Sequence, residues 1–92
     1  MNYYRIVPSS HEKYRQLRDK LKQYYAIITV GGEWMAIRFN SNVSREAIEM
    51  DCWIIGDRKV SVTLVTEPID QRDLLRAIDK KLRGRTEWSE IV

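Results

Sequence analysis

A pair of adjacent glycines, Gly31 and Gly32, constrains the fold of this chain more than any other feature of its sequence. They separate two runs rich in β-branched and aromatic residues, YYAIITV and EWMAIRF. Glycine reaches positive φ without steric cost, and a two-residue Gly-Gly connection is typical of a type I′ or II′ hairpin. The sequence therefore predicts an antiparallel hairpin near the centre of the chain.

The apolar runs that follow the hairpin are compatible with two orders of helices and strands. Residues 60–65 alternate between apolar and mostly polar side chains, which predicts a strand with one buried face. The run from Ile48 to Ile54 also alternates and favours a strand, although Ser44 is placed to cap a short helix over 44–51. If residues 48–54 form a strand, the chain consists of a helix, a four-strand meander and a second helix, which is the order we expect. If residues 44–51 form a helix, the elements follow the ferredoxin-like order βαββαβ.

Helices are predicted on both sides of this region. Ser9 and Glu12 match a capping box, and the helix that they open should end near Gln23. The last helix should begin near Pro68 and end at Gly84, because proline suits a first helical turn and glycine a helix end. Each helix carries one apolar stripe, so each should bury one side.

These elements predict a single α+β domain over residues 1–92. Tyr3 to Val7 adds a short edge strand or arm, and residues 85–92 form a C-terminal tail. With one apolar sheet face and two striped helices, the economical packing is a two-layer sandwich. We expect an antiparallel sheet of four to five strands with both helices on one face.

Two basic helical faces are the first candidate for function. The formal net charge is +3, and the positive charge concentrates on the predicted helices. Arginine and lysine spaced along a helix can neutralise phosphates, which gives salt-sensitive affinity with little sequence preference. A solvated face laced with ion pairs explains the same pattern about equally well. The candidate nucleic-acid-binding residues are Arg15, Arg18, Lys22, Arg76, Lys80 and Arg83.

The alternative candidate is an aromatic outer face of the sheet. Trp34, Arg38 and Trp53 are predicted to share it, and tryptophan and arginine are enriched at protein interfaces. Glu49 and Asp51 on the same face would repel phosphate. This face therefore predicts a protein-binding regulator or inhibitor that is homodimeric.

No pattern in the sequence predicts catalysis, a metal site or a cofactor. His11 should be solvated in a first helical turn, and Cys52 should lie in the core. One histidine and one cysteine are too few for a zinc site of the usual composition. Glu49 and Asp51 should pair with arginines across the sheet. We expect a protein that is not an enzyme.

The sequence contains no signal-peptide pattern and no apolar run of about 18 residues. Its single cysteine excludes an intrachain disulfide. We expect a soluble cytoplasmic protein without a membrane partner.

The predicted order of helix, meander and helix resembles that of double-stranded RNA-binding domains. In that family a lysine cluster opens the second helix. Here the helix opens with Pro68-Ile69-Asp70-Gln71-Arg72, and Lys80 and Lys81 lie at its end. The resemblance is limited to element order and implies no function.

Overall fold

A computed structural model describes the backbone of residues 2–91 and the side chains of residues 2–83. Its elements are β1 (Tyr3–Val7), α1 (His11–Leu21), β2 (Ile27–Val30), β3 (Trp34–Arg38), α2 (Arg45–Ile55), β4 (Ser61–Leu64) and α3 (Pro68–Ile91). The four strands form one antiparallel sheet in the order β2-β3-β1-β4. The predicted α+β domain with a four-stranded antiparallel sheet is confirmed. The topology is the ferredoxin-like alternative, with α3 added after it.

The hairpin between β2 and β3 forms at the predicted glycines, but Val30 pairs with Trp34, so the connection is Gly31, Gly32 and Glu33 rather than the predicted two residues. Gly31 and Gly32 have φ values of 60° and 68°. The Glu33 N–H donates to the carbonyl of Val30 at 3.1 Å. Positive φ at both central residues defines a type I′ turn, whose twist matches that of the flanking strands.

The preference for a strand over residues 48–54 is wrong, because this segment is α2. Ser44 caps the helix, its Oγ accepting from the Ala47 N–H at 3.1 Å. Gly56 follows the helix with a φ of 133°. Ile48 and Cys52, one turn apart, are fully buried. Signals at both ends of the segment outweigh its alternating pattern.

One face of the sheet packs against α1 and α2. The core on this side contains side chains from β1, β3, β4 and both helices, namely Tyr4, Ile6, Tyr14, Leu17, Leu21, Met35, Ile37, Ile48, Cys52 and Val62. The sheet and these two helices form two packed layers, with α2 in the position that the sequence had assigned to the C-terminal helix.

The other face of the sheet is covered by α3, which the sequence placed beside α1. Trp34 and Ala36 point to this face, because they alternate along β3 with residues of the first core. They are buried with Leu74 of α3 and with Val65. The prediction that the last helix packs beside α1 was therefore wrong. The reason is that the sheet has a second apolar face, which α3 covers.

A buried carboxylate joins the loop after α2 to the start of α1. Asp57 is 1% exposed. It accepts the Ser9 N–H at 2.9 Å, the Ser9 hydroxyl at 2.7 Å and the Lys59 N–H at 3.2 Å. The N-cap of α1 is Ser10 rather than the predicted Ser9. The Ser9 hydroxyl instead bonds to Asp57.

The last helix is longer than predicted. α3 continues to Ile91, so Gly84 does not end it, and the predicted tail begins within the helix. Residue 92 and the side chains of the predicted tail lie outside the described residues. Within the described part of the chain, no helix is long and apolar enough to cross a membrane.

Candidate functional site

The side of α2 that points away from the core is apolar and exposed. Met50, Trp53 and Ile54 are 51%, 39% and 76% exposed, and Ala47 is exposed beside them. With 3.6 residues per turn, these four positions occupy about a third of the circumference, opposite the buried Ile48. We call these four residues the α2 face.

An apolar outward side is unusual for a surface helix. The outward side of α1 shows the ordinary pattern, with Arg15, Gln16 and Asp19 exposed. A surface helix normally has one apolar stripe, directed inward, and a helix that is apolar all round is normally buried. Exposed apolar patches mark sites of interaction. The α2 face is therefore an exposed apolar patch on the outward side of a surface helix.

Charged side chains lie at both ends of the α2 face. At the N-terminal end, Arg45 pairs with Glu46 at 3.5 Å and with Glu49 at 3.4 Å, which leaves this end with one excess negative charge. At the other end, Arg58 and Lys59 are exposed, and neither forms an ion pair within residues 2–83. The two ends therefore carry opposite charge.

The predicted interface residues do not share one face. Trp34 is 4% exposed in the α3 core, and the Arg5 guanidinium carbon lies 5.2 Å from its ring centroid. Arg38 is exposed at the end of β3. Trp53 belongs to α2, which lies over the other side of the sheet. The predicted aromatic sheet face is therefore wrong as a surface, although Trp53 is itself exposed.

The predicted basic residues form two separate surfaces, because α1 and α3 lie on opposite faces of the sheet. On α1, Asp19 pairs with Arg18 at 3.2 Å and with Lys22 at 3.8 Å. Arg15 is exposed and has no ion pair to a described residue. The acidic side chain reduces the positive potential of this helix, as exposed pairs commonly do.

On α3, the predicted residues differ in their surroundings. Arg83 pairs with Asp79 at 3.1 Å. Arg76 and Lys80 instead line a groove between α3 and β2. The structure thus brings two of the six basic residues together in one groove, which Trp34 also lines.

This groove has a volume of about 940 Å³, and we call it the β2–α3 groove. One wall is the segment from Ile27 to Trp34, which includes all of β2 and the hairpin turn. The other wall consists of Asp73, Arg76, Ala77, Lys80 and Lys81. The Lys81 Nζ donates to the Ile27 carbonyl at 3.2 Å, so α3 reaches the backbone of the strand.

The two carboxylates that the sequence placed on a strand lie on α2, and each has a partner. Glu49 pairs with Arg45 on the same helix rather than across the sheet. Asp51 accepts from the Tyr25 hydroxyl at 2.5 Å. Burial, reinforced by this bond, raises the pKa of Tyr25 to about 12. Burial likewise raises the pKa of the Cys52 thiol to about 12, so Cys52 is protonated at neutral pH.

The lone histidine lies where the sequence placed it. His11 is exposed in the first turn of α1, and its ring stacks on that of Tyr14 with centroids 6.2 Å apart. Among the residues that the structure describes, no three histidine, cysteine, aspartate or glutamate side chains are grouped to hold a metal ion. Cys52 is buried in the core, as predicted.

No protein-family model, curated protein or solved structure matches this chain.

Proposed function

We propose that this protein is a non-enzymatic protein-binding module that forms a homodimer through the α2 face. The proposal is carried by the exposure of Met50, Trp53 and Ile54 on the outward side of one helix. Desolvating such side chains is the main favourable term in protein association. Tryptophan is also the residue type most enriched among those that dominate binding energy.

The charges at the ends of the α2 face support a second copy as the partner. A two-fold axis near Met50 packs two α2 helices antiparallel, so that the same surface is used by both copies. Glu46 of one copy then lies opposite Ile54 of the other copy, toward the helix end that Arg58 and Lys59 follow, and the same holds at the other end of the contact. Opposite charges at the rim favour this register over a parallel one, which would place like charges together.

The dimer should be weak. A standard interface buries about 800 Å² per partner, and four side chains on one helix supply only part of that area. We therefore expect a dissociation constant on the order of micromolar, which corresponds to about 8 kcal/mol.

The experiment is the mass in solution, measured by sedimentation over a wide range of protein concentration. Wild-type protein should shift from monomer to dimer as concentration rises. Met50→Glu places two like charges at the axis and should remain monomeric. Leu75→Glu is the matched control, because Leu75 is an exposed apolar residue on α3, and it should dimerise as wild type does. A wild-type protein that stays monomeric at millimolar concentration would refute the homodimer.

Nucleic-acid binding through the basic helices is a second candidate. It is favoured by the absence of ion pairs at Arg15, Arg76 and Lys80 within the described side chains. It predicts binding to duplex and single-stranded probes that weakens steeply with salt. Binding that is independent of salt, or that Arg15→Glu and Arg76→Glu leave unchanged, would remove this candidate.

A further inference from the structure

The β2–α3 groove contains an open strand edge. β2 is the first strand in the sheet order, so one of its sides faces away from β3. The Ile27 carbonyl is on that open side, since it accepts from Lys81. In an antiparallel strand, the N–H and C=O of one residue point the same way, and residues two apart point alike. Thr29 therefore presents both a donor and an acceptor to the groove.

Two cations lie along the same groove without an ion pair. Arg76 and Lys80 are four residues apart, so they project from the same side of α3. Neither is paired with a carboxylate among the side chains that the structure describes. Both are exposed and both line the groove beside β2. A ligand with acidic groups would therefore gain charge-assisted contacts at this position.

We propose that the β2–α3 groove binds an extended acidic segment of a partner protein, which adds to β2 as a fifth strand. The main chain of the segment would bond to both backbone groups of Thr29. Its side chains alternate in direction, so every second one would point toward Arg76 and Lys80. Glutamate or aspartate at those positions matches the two cations.

A peptide fits the groove better than a nucleic acid does. Phosphate oxygens accept hydrogen bonds and cannot satisfy the Thr29 carbonyl. Trp34 is buried in the α3 core and offers no exposed ring for a base to stack on. Asp73 and Glu33 also line the groove. A phosphate backbone carries a charge at every position and would be repelled by both, whereas an extended peptide can place acidic side chains beside Arg76 and Lys80 and neutral ones beside Asp73 and Glu33.

Lys81 controls access to the strand edge. Its bond to the Ile27 carbonyl occupies a position that an added strand would use. Lysine at a free edge protects a sheet against unwanted pairing. The acidic segment would displace Lys81 from this carbonyl, and the released ammonium would add a third cation to the site. A neutral segment would displace the same bond without that compensation, so the groove selects for negative charge.

The probe is a fluorescent peptide that alternates glutamate and valine and is long enough to pair with the four residues of β2. We expect saturable binding, with amide resonance shifts concentrated at residues 27–30. The double variant Arg76→Glu and Lys80→Glu should weaken binding by about tenfold or more. Arg15→Glu is the matched control, because Arg15 is an exposed, unpaired cation on α1, and it should bind as wild type does.

Three outcomes would overturn the proposal. One is binding that the double variant leaves unchanged, and another is equal binding of the peptide in which lysine replaces glutamate. The third is displacement of the peptide by a single-stranded oligonucleotide that binds more tightly, which would assign the groove to phosphate. Because α2 and α3 lie on opposite faces of the sheet, a peptide that does not bind the β2–α3 groove would say nothing against the dimer through the α2 face.

Discussion

Replacing Asp57 should destabilise the fold more than replacing any other single polar side chain described above. Asp57 is buried and accepts three hydrogen bonds, two from Ser9 and one from the Lys59 N–H. At about 1 kcal/mol for each bond, Asp57→Ala should lower the free energy of unfolding by about 3 kcal/mol. A chain of 92 residues is stable by about 5–14 kcal/mol, so the loss is large.

Two further variants show where this free energy resides. Ser9→Ala removes only the hydroxyl bond and should cost about 1 kcal/mol. Adding Ser9→Ala to Asp57→Ala should then cost almost nothing more, because the bond is already lost. Urea unfolding followed by circular dichroism measures the free energy of unfolding of Asp57→Ala, of Ser9→Ala and of the double variant. A loss below about 0.5 kcal/mol for Asp57→Ala would refute the view that this carboxylate joins α1 to the loop after α2.

Three other predictions concern pH, the hairpin and the α3 core. Burial raises the pKa of Cys52 from 9.0 to about 12, so above pH 9 the folded chain keeps a proton that the unfolded chain loses. The urea concentration at the unfolding midpoint should therefore decrease as the pH rises above 9, and it should decrease less steeply for Cys52→Ala. Gly31→Ala should cost about 1 kcal/mol through its positive φ, whereas Gly31→Asn should cost less. Trp34→Ala should cost about 3–5 kcal/mol, as for other buried aromatic residues, and a near-neutral result would contradict its burial beneath α3.

The hairpin was predictable because its signal is local. Gly31 and Gly32 adopt a backbone conformation that other residues rarely adopt, so their identity predicts where the chain turns, although not that Glu33 belongs to the connection. The caps of α2 are equally local. Ser44 and Gly56 lie at the two ends of a segment of helical length. Greater weight on these two residues would have identified the helix from the sequence.

The helical period of α2 was obscured by the residues that form its outward surface. Met50 and Ile54 place apolar side chains on the side where a surface helix usually has polar ones. Together with the buried Ile48 and Cys52, they produce an alternation that imitates a strand. Sequence reasoning tends to fail where function breaks a local rule, and this failure falls on the proposed interface.

The β2–α3 groove could not be predicted from the sequence. The apolar stripe of α3 shows that one side of the helix is buried, but it does not show which face of the sheet receives it. Arg76 and Lys80 become part of a groove only because α3 packs near β2, far away in sequence. That packing depends on Trp34 and Ala36, which make the second sheet face apolar.

If two copies meet through the α2 face, a cross-link at its centre should capture the dimer. Met50→Cys, in a Cys52→Ala background, places one accessible thiol per chain next to the expected two-fold axis. Mild oxidation should produce a disulfide-linked dimer rapidly and at low micromolar concentration, because the two thiols approach within bonding distance. Leu75→Cys in the same background should form no disulfide-linked dimer. Equal cross-linking of the two variants, or none at Met50→Cys under conditions where the protein is dimeric, would contradict the account.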